Sequence, residues 1–202
     1  MQGLFVTLEG IDRSGKTTQA ALLCRALGEV ALGVREPGGT PSGERIREIL
    51  KDPDAVLSPE AETLLFAAAR AELVRWVIRP ALAEGRVVVS DRFLDSSLAY
   101  QGDARGLGIE EVDRLNGFAT GGLVPDLTLL LEMDAGAAAA RGGEDDRFER
   151  EGAELQEQVA AAYDRLASAE PGRWRRIAAD RAPEAVHADV LAAVEAARRT
   201  PA

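Results

Sequence analysis

Gly10-Ile11-Asp12-Arg13-Ser14-Gly15-Lys16-Thr17 fits the pattern G-x-x-x-x-G-K-[ST] in full. The residues on either side of it decide the fold as much as the loop itself. Leu4-Phe5-Val6-Thr7-Leu8 reads as a buried strand entering the loop, and Thr18 to Leu27 reads as a helix leaving it. A strand that feeds a glycine loop into a helix N-terminus aims several backbone N–H groups, and the positive end of the helix dipole, at one point. That point suits a triphosphate. Lys16 reaches the terminal phosphates and the Thr17 hydroxyl ligates Mg²⁺ in such a loop. Composition marks the lysine out. The chain has 24 basic residues, of which Lys16 and Lys51 alone are lysine.

Outward from the loop, strands and helices alternate. The pattern predicts strands at Val30–Val34, Val87–Val89, Leu127–Leu131 and Trp174–Ala178. It predicts a helix capped by Ser42 and running to Leu50. A longer one opens at Ser58-Pro59-Glu60 and carries Leu64, Leu65, Ala68, Val74 and Val77 at helical spacing until it falters near Pro80. Further helices are expected at Glu110–Phe118, from Ala135, at Glu151–Ala167 and at Glu184–Arg198. The reading is an α/β fold with a five-stranded parallel sheet flanked by helices and right-handed crossovers. Ligands of such a sheet sit at the carboxyl ends of the strands. There strand one supplies the loop, strand two Arg35, and strand three Asp91 and Arg92. An aspartate that closes an apolar strand is where this fold directs magnesium. An adjacent arginine binds an oxyanion bidentately and spreads transition-state charge.

Bulk properties bound the rest. The 202 residues suit one domain, 46% hydrophobic and 29% charged, with a net charge of −10. That charge argues against nucleic acid or an anionic membrane as the main partner. No apolar run is long enough to span a bilayer, and Met1-Gln2-Gly3-Leu4 lacks a basic leader region. Cys24 is the one cysteine and reads as a packed thiol, so no internal disulfide forms and a reducing, cytoplasmic setting is expected. His187, Trp76 and Trp174 are expected to be structural, the histidine on the surface and the tryptophans in the core.

Five segments stand in order: Leu8-Glu9-Gly10 through Gln19, Arg35-Glu36-Pro37-Gly38-Gly39-Thr40, Leu65-Phe66-Ala67-Ala68-Ala69-Arg70, Asp91-Arg92-Phe93 through Ser96-Ser97-Leu98-Ala99-Tyr100-Gln101-Gly102, and Pro125-Asp126-Leu127-Thr128. Together they resemble the thymidylate kinases, P-loop nucleoside-monophosphate kinases. The loop alone is generic; the second and fourth segments are specific to that family. The resemblance spans about residues 3–198 and implies a single kinase domain over 1–202, with a short lid at about 141–150. It implies phosphorylation of dTMP to dTDP by ATP with Mg²⁺, a step toward dTTP, by a homodimer.

Residue roles follow from the same resemblance. Gly10 to Thr17, the whole of the quoted loop including Ile11 and Ser14, would bind ATP, and Thr17 and Asp91 the metal. Phe66 would stack on thymine and Arg70 would meet its edge. Arg92 and Arg35 would hold the acceptor phosphate beside Pro37, and Asp12 would contact the 3′-hydroxyl. Tyr100 would crowd the 2′ position, with Ser97 and Gln101 completing the pocket. On the residues alone, Phe66 reads as core and Arg70 as solvated. The loop near Ala178-Ala179-Asp180 is placed by position for adenine. The lid segment holds Arg141 and Arg147 together with three consecutive acids, and some members of the family carry their catalytic arginine in the P-loop instead, where Arg13 stands. Arg13 is taken as the transition-state arginine and the lid pair as secondary.

Two alternatives remain at this stage. One is a kinase of the same fold for another monophosphate or a deoxynucleoside. The other is a nucleotide-dependent switch, since Asp103-Ala104-Arg105-Gly106 matches an aspartate-to-glycine spacing of GTPases; Asn116, the one asparagine, precedes Gly117, so no Asn-Lys-x-Asp guanine motif exists.

Overall fold

The computed structural model describes residues 3–142, 147–148 and 152–199. Strands β1 (Leu4–Glu9), β2 (Ala31–Arg35), β3 (Val87–Asp91), β4 (Leu127–Glu132) and β5 (Trp174–Ala178) form one parallel sheet in the order β2-β3-β1-β4-β5. Both faces of the sheet are covered, so the strands are buried on both sides and read as continuous apolar runs. Side chains alternate between the faces. Val6 and Leu8 of β1, with Val87 and Val89 of β3 and Leu129 of β4, join Leu23 of α1 (Lys16–Leu27) and Val190 of α9 (Pro183–Arg199). On the opposite face, Phe5 and Val88 pack with Leu73, Ile78 and Phe93. Leu130 packs with Val159 and Tyr163 of α8 (Gly152–Ala169).

The intervening helices are α2 (Pro41–Lys51), α3 (Pro59–Leu73), α4 (Arg79–Ala83), α5 (Leu94–Ser97), α6 (Ile109–Thr120) and α7 (Ala135–Ala139). The chain leaves β1 toward β2 on one side of the sheet and later returns to β4 on the other. The carboxyl ends of β1 and β3 therefore flank the point where the order reverses, the usual place for a ligand in an open α/β sheet. Their register puts Leu8 opposite Asp91, and the Arg92 amide donates to the Leu8 carbonyl at 3.1 Å.

Several expectations need correcting. Thr40, one residue before Pro41, caps α2 through its hydroxyl, which accepts from the Gly43 amide at 3.0 Å; Ser42 lies inside the helix and donates to Glu72. The long helix does not stop at Pro80. It passes through a π-helical turn, Val74–Ile78, and continues as α4, where Pro80 falls in the first turn and needs no N–H partner. The anticipated apolar stripe on α3 is also split. Leu64 and Ala68 are exposed, while the buried face carries Glu62, Thr63, Ala67, Arg70 and Leu73. Charged groups occupy the inner face because it borders a polar cavity. Trp76 is 63% exposed, whereas Trp174 is buried as expected. His187 is half-buried rather than on the surface. Cys24 packs at the edge of the core beside Gly33, and burial pushes its thiol pKa up. Unanticipated altogether are α5 and the π-helical run Leu98–Ala104. Among the described residues no helix is long and apolar enough to cross a membrane.

Candidate active site

The loop between β1 and α1 takes its shape from its glycines. Gly10 has φ 141°, and a Cβ there would meet the Leu131 carbonyl oxygen at 2.6 Å. Gly15, at φ 99°, caps α1. The Lys16 side chain is buried within the loop. Its ammonium donates to the carbonyls of Gly10 at 3.0 Å and Ile11 at 2.6 Å, and to Ser14 Oγ at 3.4 Å. Burial, with the Arg92 charge next, lowers its pKa to about 8 against the pull of Asp12, Asp91 and Glu9. At neutral pH most of the lysine is still a cation.

Thr17 Oγ1 donates to Asp91 Oδ2 at 2.5 Å. The two hard oxygen donors thus meet where the amides of the helix N-terminus converge. That donor set fits Mg²⁺, which favours one or two protein oxygens together with phosphate and water.

Beyond this point a cavity of about 380 Å³ opens. Lys16, Thr17, Asp91 and Arg92 line it, and so do Phe66, Arg70 and Gln101. Asp12, Arg13, Arg35, Pro37, Ser97 and Tyr100 complete the set of anticipated residues that line it. Arg92 has a left-handed backbone, φ 70°, which costs a non-glycine residue on the order of 1 kcal/mol. This conformation turns its guanidinium inward. Nη1 donates to Gly10 O at 3.3 Å and Ser96 Oγ at 3.1 Å, and Nη2 to Asp12 Oδ1 and to Tyr100 Oη at 3.4 Å. Burial raises the Asp12 pKa, but Arg92 and Lys16 outweigh it and hold the carboxyl below its ordinary value. Gln156 of α8 clasps Asp12 from the other side, accepting from its amide at 2.9 Å and donating to Oδ2 at 2.8 Å. Arg35 is the outermost of these cations and pairs with Glu44 at 3.0 Å, both side chains about half exposed.

Arg70 overturns the reading taken from residue type alone. It is 1% exposed, not solvated. Nε donates to Glu36 Oε2 at 2.9 Å, Nη1 to Asn116 Oδ1 at 2.6 Å, and Nη2 to Ser97 Oγ at 3.1 Å and Phe93 O at 3.2 Å. A buried guanidinium so nearly saturated is fixed in place. Phe66, one turn earlier on α3, is half-buried, lines the cavity, and lies 5.9 Å from the Phe148 ring.

The two lid arginines go to different places. Arg141 lies across the P-loop, its Nη1 donating to Arg13 O at 3.2 Å and its Nη2 to Ala179 O at 3.0 Å. This brings the segment after β5 beside the loop. Arg13 Nη1 donates to Ala139 O at 3.3 Å. Arg147, expected at the phosphates, instead pairs with Glu62 of α3 at 2.7 Å and donates to Leu50 O at 3.0 Å. Glu62 also holds Gln101, so Arg147 sits toward the Gln101 side of the cavity. Its neighbours 143–146 and 149–150, including the three acids, lie outside the described residues.

A buried cluster backs the site. Glu9 accepts from the Phe93 amide at 2.8 Å, Ser96 Oγ at 2.6 Å and Tyr163 Oη at 2.8 Å. Burial, then the nearby Asp95 charge, pushes its pKa up to about 7, although Ser96, Arg92 and Tyr163 pull it down. The unfolded value is near 4.5. A carboxyl raised on folding stabilises the fold most below pH 4.5 and loses that contribution as pH climbs through 7. Glu9→Gln should therefore gain on the wild type between pH 5 and pH 8, by roughly 3 °C or more in Tm. Thermal melts across that range check it, and parallel curves for the two proteins would contradict the assignment.

Glu9, Glu36, Arg47, Lys51, Glu62, Phe148 and Gln156 are the residues that sequence reasoning missed. Arg47 and Lys51 had a visible signal, four apart on one face of α2, and both line the cavity. For Glu62 and Gln156 no local signal exists, because tertiary packing alone brings them to the site.

The family model described as thymidylate kinase matches residues 8–190. A thymidylate kinase of Pelotomaculum thermopropionicum is 51% identical, the match covering 96% of this chain and 94% of that protein. One from Deinococcus radiodurans is 46% identical over 96% of this chain and 97% of its own length. The crystal structure of thymidylate kinase from Ehrlichia chaffeensis superposes with a TM-score of 0.81 at 31% identity, over 96% of this chain and all of that one.

Proposed function

The chain belongs to the thymidylate kinase family and phosphorylates dTMP to dTDP with ATP, and on that premise we propose how its residues divide the work. The observation that supports the division is that one cavity is lined both by Lys16 and Thr17 and by Phe66 and Gln101. Donor phosphates and acceptor base fit one continuous space.

The P-loop amides and Lys16 hold the β- and γ-phosphates of ATP. Thr17 and Asp91 hold Mg²⁺, which when bound neutralises charge on those phosphates. Arg92 and Arg35 grip the phosphate of dTMP, one of whose oxygens attacks the γ-phosphorus as the bond to the bridging oxygen of ADP breaks. The nucleophile is already an anion, so no general base is needed. Positioning and charge neutralisation carry the step. Arg13 spreads the charge that builds on the transferring phosphoryl group, and Arg141 holds the adenine side of the loop. Arg92 is drawn by Asp12 in the free enzyme, so acceptor binding exchanges one anion for another.

Asp12 and Gln156 accept the 3′-hydroxyl, and Tyr100, wedged against Arg92 with its ring 5.2 Å from the guanidinium carbon, fills the space a 2′-hydroxyl needs. Phe66 stacks on the base, with Pro37, Ser97 and Gln101 around it. A coupled ADP-release assay over dTMP, dUMP, UMP, CMP, AMP and GMP tests these roles. The expected order puts dTMP first in kcat/KM; a ribonucleotide in that place would remove Tyr100 and Phe66 from the acceptor site.

The exposed apolar side chains Leu64 and Trp76, with Phe118 at 89% exposure on α6, support a homodimer formed through the α3–α6 face. A monomeric mass in light scattering would count against it. The single cysteine supports a cytoplasmic setting, since no internal disulfide forms.

A further inference from the structure

We propose that Glu62, which touches no substrate, fixes the polarity of the Gln101 amide and so makes the enzyme reject cytosine in favour of a base with a keto edge.

Glu62 stands in the first turn of α3 and is 1% exposed. Among the described residues, the groups that hydrogen-bond to it donate, and Arg147 adds an ion pair. Gln101 Nε2 reaches Oε1 at 2.9 Å and Arg105 Nε the same oxygen at 3.2 Å, while Arg105 Nη2 reaches Oε2 at 3.2 Å and Arg147 Nη2 the same oxygen at 2.7 Å. A carboxylate between two guanidinium groups only accepts. The Gln101 amide must therefore turn its nitrogen toward Glu62, and its oxygen is the atom left for a ligand. Gln101 is itself 2% exposed and lines the cavity, so its amide has little freedom to turn over.

Arg70 supplies the complement. It lines the same cavity and spends one Nη1 hydrogen on Asn116; the other Nη1 hydrogen has no partner among the described residues. The base end thus offers one acceptor, Gln101 Oε1, and one donor, Arg70 Nη1. Thymine and uracil present the matching edge, an N3–H donor beside an O4 acceptor. Cytosine presents the reverse, an N3 acceptor beside an N4 amino donor. To receive it, Gln101 would have to turn over and set its oxygen against the Glu62 carboxylate. Sites built to pair with a polar group reject the analogue with the wrong pattern because buried groups are left unpaired. This inference rests on the reading that Arg70 and Gln101 face the base.

Glu62→Gln tests it with almost no change in shape. An amide at 62 offers either a donor or an acceptor, so Gln101 is free to turn over. The ratio of kcat/KM for dTMP to that for dCMP should fall by about tenfold or more, while the ratio for dTMP to dUMP stays within about twofold, since those bases share one edge. Arg105→Met removes an ion pair from Glu62 but leaves Gln101 its partner, and should keep the dTMP to dCMP ratio. An unchanged ratio in Glu62→Gln, or an equal fall in Arg105→Met, overturns the proposal. A wild-type enzyme with no preference for dTMP over dCMP would instead overturn the placement of the base. If Glu62→Gln does not fold, the wild-type protein still decides. Its Gln101 side-chain NH₂ signals in NMR should stay protected from exchange, with or without dTMP, and loss of protection on binding dTMP overturns the proposal.

Discussion

Lys16→Met lowers kcat by about 10²- to 10³-fold, the cost of removing one preorganised charge from developing phosphoryl oxygens. Methionine keeps the length of the stem and loses the ammonium. In the free enzyme that ammonium is held by the carbonyls of Gly10 and Ile11, 3.0 and 2.6 Å away. Triphosphate must draw it out, exchanging neutral acceptors for anionic ones, and charge-assisted hydrogen bonds are roughly twice as strong as neutral ones. The gain is largest where charge accumulates, which is the transition state. The loss should therefore fall mainly on kcat, with a smaller rise in KM for ATP and little change in KM for dTMP. Steady-state kinetics at saturating dTMP, with circular dichroism to verify folding, provides the check. A kcat within tenfold of the wild type would mean that the P-loop does not hold the reacting phosphates.

How far the sequence carried this depends on which forces were local. The P-loop, the five strands and their helices are written in short-range pattern, and Trp174–Ala178 was bounded to the residue. Glycines that must adopt positive φ and apolar runs buried on both sides leave marks within a few positions. The face of α3 did not, because its phase is set by the cavity it borders. Leu64 and Ala68 point outward so that Glu62 and Arg70 can point in. No hydrophobicity argument places a glutamate and an arginine at about 1% exposure; partners from other elements, among them Glu36, Asn116 and Ser97 for Arg70 and Gln101, Arg105 and Arg147 for Glu62, offset the cost of that burial. The π-helical run Leu98–Ala104 is a similar case. Its extra residue per turn rests on packing against α8 and α6, and its sequence gives no helix signal of its own beside Gly102. The candidate site was legible wherever a loop or strand end set a side chain, as for Asp91 and Arg92. It was illegible where a distant helix did so, as for Gln156.

The same distinction bears on which arginine stabilises the transition state, a question that sequence pattern left between loop and lid. Arg147 is committed to Glu62 and the Leu50 carbonyl, which leaves Arg13 and Arg141. These two are linked, since Arg141 Nη1 donates to the main-chain oxygen of Arg13 and not to its side chain. Arg13 also holds a left-handed backbone at φ 62°, a conformation that glycine adopts more cheaply. A side chain kept at such a position against roughly 1 kcal/mol of strain is one whose direction matters, and this one lines the cavity beside Lys16. Arg13→Ala deletes the guanidinium and preserves the carbonyl, so Arg141 keeps its anchor. The expected loss in kcat is about 10³-fold, the lower edge of what an arginine finger contributes. Arg141→Ala should cost less in kcat and more in KM for ATP, because Arg141 bridges the loop to the Ala179 carbonyl rather than pointing along the cavity. Arg13→Lys should recover part of the charge but not the planar, two-pronged contact. A loss below about tenfold in Arg13→Ala, or 1.4 kcal/mol, together with a larger one in Arg141→Ala, would transfer the role to the lid.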